Sequence, residues 1–143
     1  MGLRESLIGR HVYFDANIIV YIVEAPPAMR SMAKTIRELI VGKEILPCTS
    51  ELTLCEVLSK PLHSGDVRSV ELYRSLLEDS GAFALMPTTR AIYFIAARYR
   101  GEFGLKTPDA IHVATAVEAS CSVFFTNDAR IRFPPGIERV GPL

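Results

Sequence analysis

The chain contains no tryptophan, only three cysteines, no surplus of either charge and no apolar run long enough to cross a membrane. Cys48, Cys55 and Cys121 form no CxxC pair, and three thiols cannot all be bridged. That argues against a cysteine-held metal and fits buried thiols in a reducing cytosol. Lysine plus arginine equals aspartate plus glutamate, 16 against 16, so any attraction to an anionic polymer has to come from local placement of charge. Neither GxGxxG nor GxxxxGK[ST] occurs, which argues against dinucleotide and P-loop sites. Met1 to Arg10 carries charge and lacks a long apolar core, so no secretory leader is expected. There is no internal repeat and no low-complexity tract. The Pro26-Pro27 and Pro134-Pro135 pairs turn the chain without dividing it, so residues 1–143 are expected to form a single domain. A domain of that size buries roughly two-thirds of its unfolded surface.

What is present is an alternation. Apolar, β-rich runs bounded by turn residues fall at His11–Phe14, Ile45–Cys48, Ala82–Met86, Ser122–Thr126 and Ile137–Val140. Helical patterns fill the intervals at 17–24, 29–41, 51–60, 67–79, 89–100 and 109–119. The stripe Met29, Met32, Ala33, Ile36, Leu39 and Ile40 has plain helical amphipathicity and is expected to be core or dimer surface. Strands alternating with helices predict a three-layer α/β/α sandwich around a mostly parallel sheet. Right-handed crossovers allow strands two and three to run outward on one side and strand four to return on the other, beside strand one, for the order 3-2-1-4-5. In such a sheet, sites form beyond the carboxyl ends of the strands, where the order reverses.

Acidic residues fall at that edge. "HVYFDANIIVY" places Asp15 at the tip of the first strand, and "SVFFTNDARI" places Asp128 just past the fourth. "TPDAIHVATA" puts Asp109 in the first turn of a helix that is apolar nearly all round and so must be buried. "TSELTLCEVLSK" puts Glu56 one to two turns into the helix after strand two, with Thr49 or Ser50 as its cap. Each acid has a bland explanation: Asp15 and Asn17 as caps, Glu56 as a solvent-facing residue, Asn127-Asp128 as a turn, and Thr107-Pro108-Asp109 as a helix start. Their convergence is harder to dismiss. Two carboxylates about 4 Å apart repel by several kcal/mol at an effective dielectric near 20. A fold that gathers four of them needs a cation or protons among them. All-oxygen donors favour Mg²⁺ or Mn²⁺ over zinc, and a hard divalent ion serves phosphoryl chemistry.

In their order and spacing, "YFDANIIVY", "TSELTLCEV", "TPDAIHVATA" and "FFTNDARI" resemble the PIN domain family, in particular the VapC-like toxin ribonucleases of toxin–antitoxin pairs. The resemblance covers nearly the whole chain, from His11 to about Val140. It implies that Asp15, Glu56, Asp109 and Asp128 are the catalytic, metal-holding acids, supported by Asn17, Thr126 and the hydroxyl cap at Thr49 and Ser50. It further implies a cytoplasmic endoribonuclease that hydrolyses RNA phosphodiesters with a metal-activated water. A homodimer is also implied, as is a cognate antitoxin whose tail covers the acidic cleft.

Other expectations rest on less. Arg98, Arg100 and Lys106 cluster before Asp109 and are candidates for drawing RNA to the cleft. A solvated helix end is their ordinary role. His112, one turn after Asp109, is expected to be a satisfied core or interface histidine. The rivals are a PIN domain used in RNA processing or only for nucleic-acid binding, and a haloacid-dehalogenase-like phosphatase. The phosphatase wants a second aspartate two residues after the first, where this chain has Asn17. A receiver domain would want an acid at the end of strand three, which ends Met86-Pro87.

Overall fold

The computed structural model describes residues 2–143. Five strands make one parallel sheet: β1 (His11–Phe14), β2 (Leu46–Ser50), β3 (Ala84–Met86), β4 (Val123–Phe125) and β5 (Glu138–Val140). Their order is β3-β2-β1-β4-β5, and every pairing is parallel. The helices are α1 (Leu3–Leu7), α2 (Ala16–Glu24), α3 (Arg30–Val41), α4 (Leu52–Ser64), α5 (Val67–Arg74), α6 (Arg90–Phe103) and α7 (Thr107–Glu118). No helix among the described residues is long and apolar enough to cross a membrane.

The pleat of β1 divides the interior. Val12 and Phe14 point to one face and pack with Ile18, Ile19 and Ile22 of α2 and Ile36 and Leu39 of α3. Tyr13 points to the other face, among Phe124 of β4, Ile92 and Ala96 of α6, and Val113 and Ala114 of α7. Successive strand side chains alternate faces, so one short strand serves both cores. Tyr13 stacks on Phe124 with ring centroids 5.0 Å apart, while Phe14 meets Phe125 edge-on at 5.5 Å. Residues 110–116 of α7 are buried without a break, as an all-apolar helix requires.

Several boundaries depart from expectation: β2 runs on to Ser50 and α6 to Phe103. The segment Leu3–Leu7 forms a helix too short to show a period. The helix expected to end at Lys60 continues through Pro61 to Ser64. Proline costs that helix a hydrogen bond, but its ring is buried against the core. The stretch expected as one helix over 67–79 is α5 followed by a π turn at Ser75–Asp79.

Candidate active site

β1 and β4 are neighbours, so their tips meet where the strand order reverses. The Asp15 amide donates to the Phe125 carbonyl at 3.0 Å, which carries the sheet one residue beyond β1. Asp15 is buried at 7% exposure, and both its oxygens are engaged. Oδ1 accepts from the Ala16 amide at 2.8 Å, and Oδ2 accepts from the Thr126 hydroxyl at 2.6 Å. Asp15 is therefore the cap of α2 and a held anion at the sheet edge at once. The Thr126 hydroxyl also accepts from the Asp128 amide at 3.0 Å, which fixes the turn that carries Asp128.

Asp109 occupies the first turn of α7, where the helix dipole favours an anion. The helix starts one residue earlier than a Thr107 cap would give. Lys106 stands at the cap without a side-chain bond, Thr107 is the first helical residue and Pro108 the second. Burial raises the Asp109 carboxyl above its ordinary range, and the fields of Asp15, Asp128 and Glu56 push it further up against a smaller opposing effect of His112. Asp109 is thus near enough to feel each of the other three acids. Asp128 shifts the opposite way. Its carboxylate is lowered by the Arg130 side chain and amide, which donate to it at 2.9 to 3.2 Å.

Glu56 lies one turn into α4, and its Oε1 meets His112 Nε2 at 2.5 Å. The other ring nitrogen of His112 meets the Tyr13 hydroxyl at 2.5 Å. Tyr13 and His112 are both buried, and burial raises the Tyr13 phenol well above its usual value. His112 is a satisfied buried histidine, as expected, but one of its partners is a site acid.

The remaining expected residues divide. Lys106 lines a cleft with Asp109, Asp128 and Arg130, walled by Phe103, Leu105 and Ile131. Arg98 and Arg100 are exposed on α6 and do not line it, and Arg100 Nε donates to the Leu105 carbonyl at 3.3 Å. Asn17 is exposed and lines a second cleft on the far side of Asp128 and Arg130. Ser50 accepts from the Leu52 amide at 3.0 Å, a cap-like bond at the start of α4. Thr49 donates to the Phe14 carbonyl at 2.8 Å and bonds Thr53, tying β2 to β1. Both hydroxyls brace the scaffold beneath the acids.

Two residues were missed by sequence reasoning. Arg130 lies two after Asp128, and an Asx turn at that aspartate is the signal that folds it back. Tyr13 lies two before Asp15, so strand periodicity places both on one side of β1.

The donor set suits a hard divalent cation in kind. It consists of carboxylates only, and one of them is destabilised as an anion by the others. The set is not closed as it stands. Among the described residues, no three histidine, cysteine, aspartate or glutamate groups converge as metal ligands. Arg130 holds Asp128 through two side-chain hydrogen bonds, and His112 holds Glu56 through one.

The PIN domain family model matches residues 12–134. No curated protein matches the chain. Among solved structures, a toxin–antitoxin complex from Klebsiella pneumoniae is similar at a TM-score of 0.68 and 24% identity, covering 92% of this chain and 98% of that one. VapBC from Salmonella typhimurium, solved with DNA, is similar at a TM-score of 0.63 and 16% identity, over 94% of this chain and 99% of that one. VapBC2 from Rickettsia felis, solved with a fragment of its promoter DNA, is similar at 0.62 and 16%, over 91% and 97%.

Proposed function

The chain belongs to the PIN domain family, and we propose that it is a metal-dependent endoribonuclease, the toxin of a toxin–antitoxin pair acting in the cytoplasm. The observation that carries this reading is the Asp109 carboxyl, raised by burial and by three further acids delivered from β1, β4 and α4 to one sheet edge. A stability-driven fold has no use for that repulsion. A bound Mg²⁺ or Mn²⁺ would neutralise it, polarise a phosphate and lower the pKa of water.

Asp15, Asp109, Asp128 and Glu56 are the residues that would hold the ion. Asp15 is preset by the Ala16 amide and the Thr126 hydroxyl, so its orientation is settled before any ligand arrives. Lys106 and Arg130 flank Asp109 and Asp128 in the cleft, where two cations suit the phosphates on either side of a scissile bond. Arg130 also lines the cleft that holds Asn17, so one side chain serves both approaches. Arg98 and Arg100 stand further back, where they suit only long-range attraction.

The partner follows from the same reading. The similar structures from Klebsiella, Salmonella and Rickettsia are toxin–antitoxin or VapBC complexes. An antitoxin with a basic segment would complement this acidic edge through charge-assisted hydrogen bonds. The protein is proposed to act as a homodimer.

Mixed cellular RNA incubated with Mn²⁺, and with chelator, tests the activity. Cleavage is expected only with the metal and is expected to vanish in Asp109→Asn. RNA binding without metal-dependent cleavage would instead make this a binding module on the same fold.

A further inference from the structure

Tyr13, His112 and Glu56 form a hydrogen-bonded chain that crosses between three elements. The Tyr13 hydroxyl meets His112 Nδ1 at 2.5 Å, and His112 Nε2 meets Glu56 Oε1 at 2.5 Å. Tyr13 lies on β1 two residues before Asp15. His112 lies on α7 three residues after Asp109, one turn along the same face. Glu56 is itself one of the acids, on α4. The chain therefore ties together the three elements that carry Asp15, Asp109 and Glu56. Tyr13 is 0% and His112 1% exposed, so water reaches the chain only at its Glu56 end.

We propose that Tyr13 and His112 are positioning residues, a buried strut that sets Glu56 against Asp15 and Asp109 for cation binding. This rests on reading the four acids as the metal site. Glu56 needs the strut most, because its side chain is 34% exposed and sits on a helix rather than at a strand tip. With Oε1 fixed by His112, Oε2 is the oxygen left for the site. The geometry does not depend on the charge of the imidazole. Nε2 faces a carboxylate and carries a hydrogen in both the neutral and the cationic ring. Only the Tyr13 contact changes sense, from donor to acceptor.

A merely structural role would satisfy two buried polar groups and leave the cation indifferent. His112→Gln, His112→Leu and Tyr13→Phe separate the two cases. Glutamine can still present an amide N–H near the Nε2 position, whereas leucine fills the space and offers no donor. Each variant is first melted in chelator, and Mn²⁺ binding is then titrated by electron paramagnetic resonance. His112→Leu is expected to weaken binding by about ten- to a hundredfold, the usual cost of losing a residue that orients a ligand. His112→Gln is expected to recover most of it, and Tyr13→Phe to fall between. Equal Mn²⁺ affinity across folded variants would overturn the proposal, as would a glutamine variant no better than leucine. Should leucine fail to fold, the glutamine and Tyr13→Phe titrations still decide.

A second readout needs no metal. In ¹⁵N-histidine spectra of the metal-free protein, the His112 Nε2–H is expected to be protected from exchange and shifted far downfield. Both features are expected to disappear in Glu56→Ala. A Nε2–H that is unprotected in wild type, or unmoved in Glu56→Ala, means that the strut is absent. Failure of wild type to bind Mn²⁺ with the protected resonance intact would instead remove the cation, overturning the metal reading and the strut's purpose while leaving its geometry.

Discussion

Asp109 sits half-buried beside three other carboxylates, and its carboxyl is raised by burial first and by their fields second. A raised folded value means that the folded state binds the proton more tightly than the unfolded state does. Stability of the metal-free protein therefore falls as pH rises from the ordinary aspartate range, near about 3.9, through the raised value. Asp109→Asn removes this penalty. In chelator near neutral pH the variant is expected to melt above wild type, and the gap to close as pH drops below the ordinary range. Added Mn²⁺ is expected to raise the wild-type melting temperature and to do little for the variant. A variant less stable than wild type in chelator at neutral pH would show that Asp109 is a helix-start residue and nothing more.

Asp15 answers differently, because both its oxygens accept hydrogen bonds. An amide accepts on one side only, so Asp15→Asn gives up one bond, worth about 1 kcal/mol, against the relief of one charge. In chelator the melting temperatures are expected to rank Asp109→Asn above Asp15→Asn. Arg130 forms an exposed ion pair with Asp128, and such pairs add little to stability. Arg130→Ala is expected to leave the melting temperature unchanged while lowering the salt slope of RNA binding by about one. An unchanged slope would return Arg130 to the role of fixing Asp128.

At the scale of elements, helix ends show where local chemistry is strained and where it is not. Ala25 and Gly104 both close helices in the left-handed region, at φ 43° and 66°. A side chain there costs roughly 1 to 2 kcal/mol, so the two positions carry opposite expectations. Ala25→Gly is expected to stabilise, by less than that range because glycine also loosens the unfolded chain. Gly104→Ala is expected to destabilise by about 1 kcal/mol, with no steric addition, since a Cβ there would meet nothing within 4 Å. Urea denaturation of both variants checks the pair.

The same scale explains what was legible beforehand. The five strands were readable because apolar, β-branched runs were bounded by turns, and α7 because residues without a polar face can only be buried. Handedness allowed the strand order, and convergence of the acids on one edge selected it. Leu3–Leu7 was not readable, since five residues cannot display a helical period. Nor was the continuation of α4 past Lys60, where burial of Pro61 outweighs its missing donor. At the site, two of the acids were visible past strand tips and two in the helices, but the partners that orient them were not. His112 and Tyr13 find Glu56 only through tertiary packing of α7 against the sheet, and no spacing in the sequence encodes that contact.

For the whole molecule, balanced charge and an acidic edge make local pairs decisive. The same holds for apolar surface. Most large hydrophobic side chains are buried, but Tyr93 and Phe94 stand side by side on α6 at 54% and 72% exposure. Aromatic residues are enriched in interfaces between proteins, and exposed rings of this size have a cost in water. α6 runs directly into the link that positions α7 and Asp109, so a second copy seated on it would brace the cleft wall without covering the acids. Wild type is expected to have twice the chain mass by light scattering at micromolar concentration. Phe94→Asp is expected to halve that mass and keep a cooperative melt, because the replaced side chain makes no contribution to either core. A wild-type protein of single-chain mass would remove the homodimer. A dimer that survives Phe94→Asp would move the contact elsewhere, with exposed Leu62 and Val67 at the α4–α5 junction as the next residues to replace.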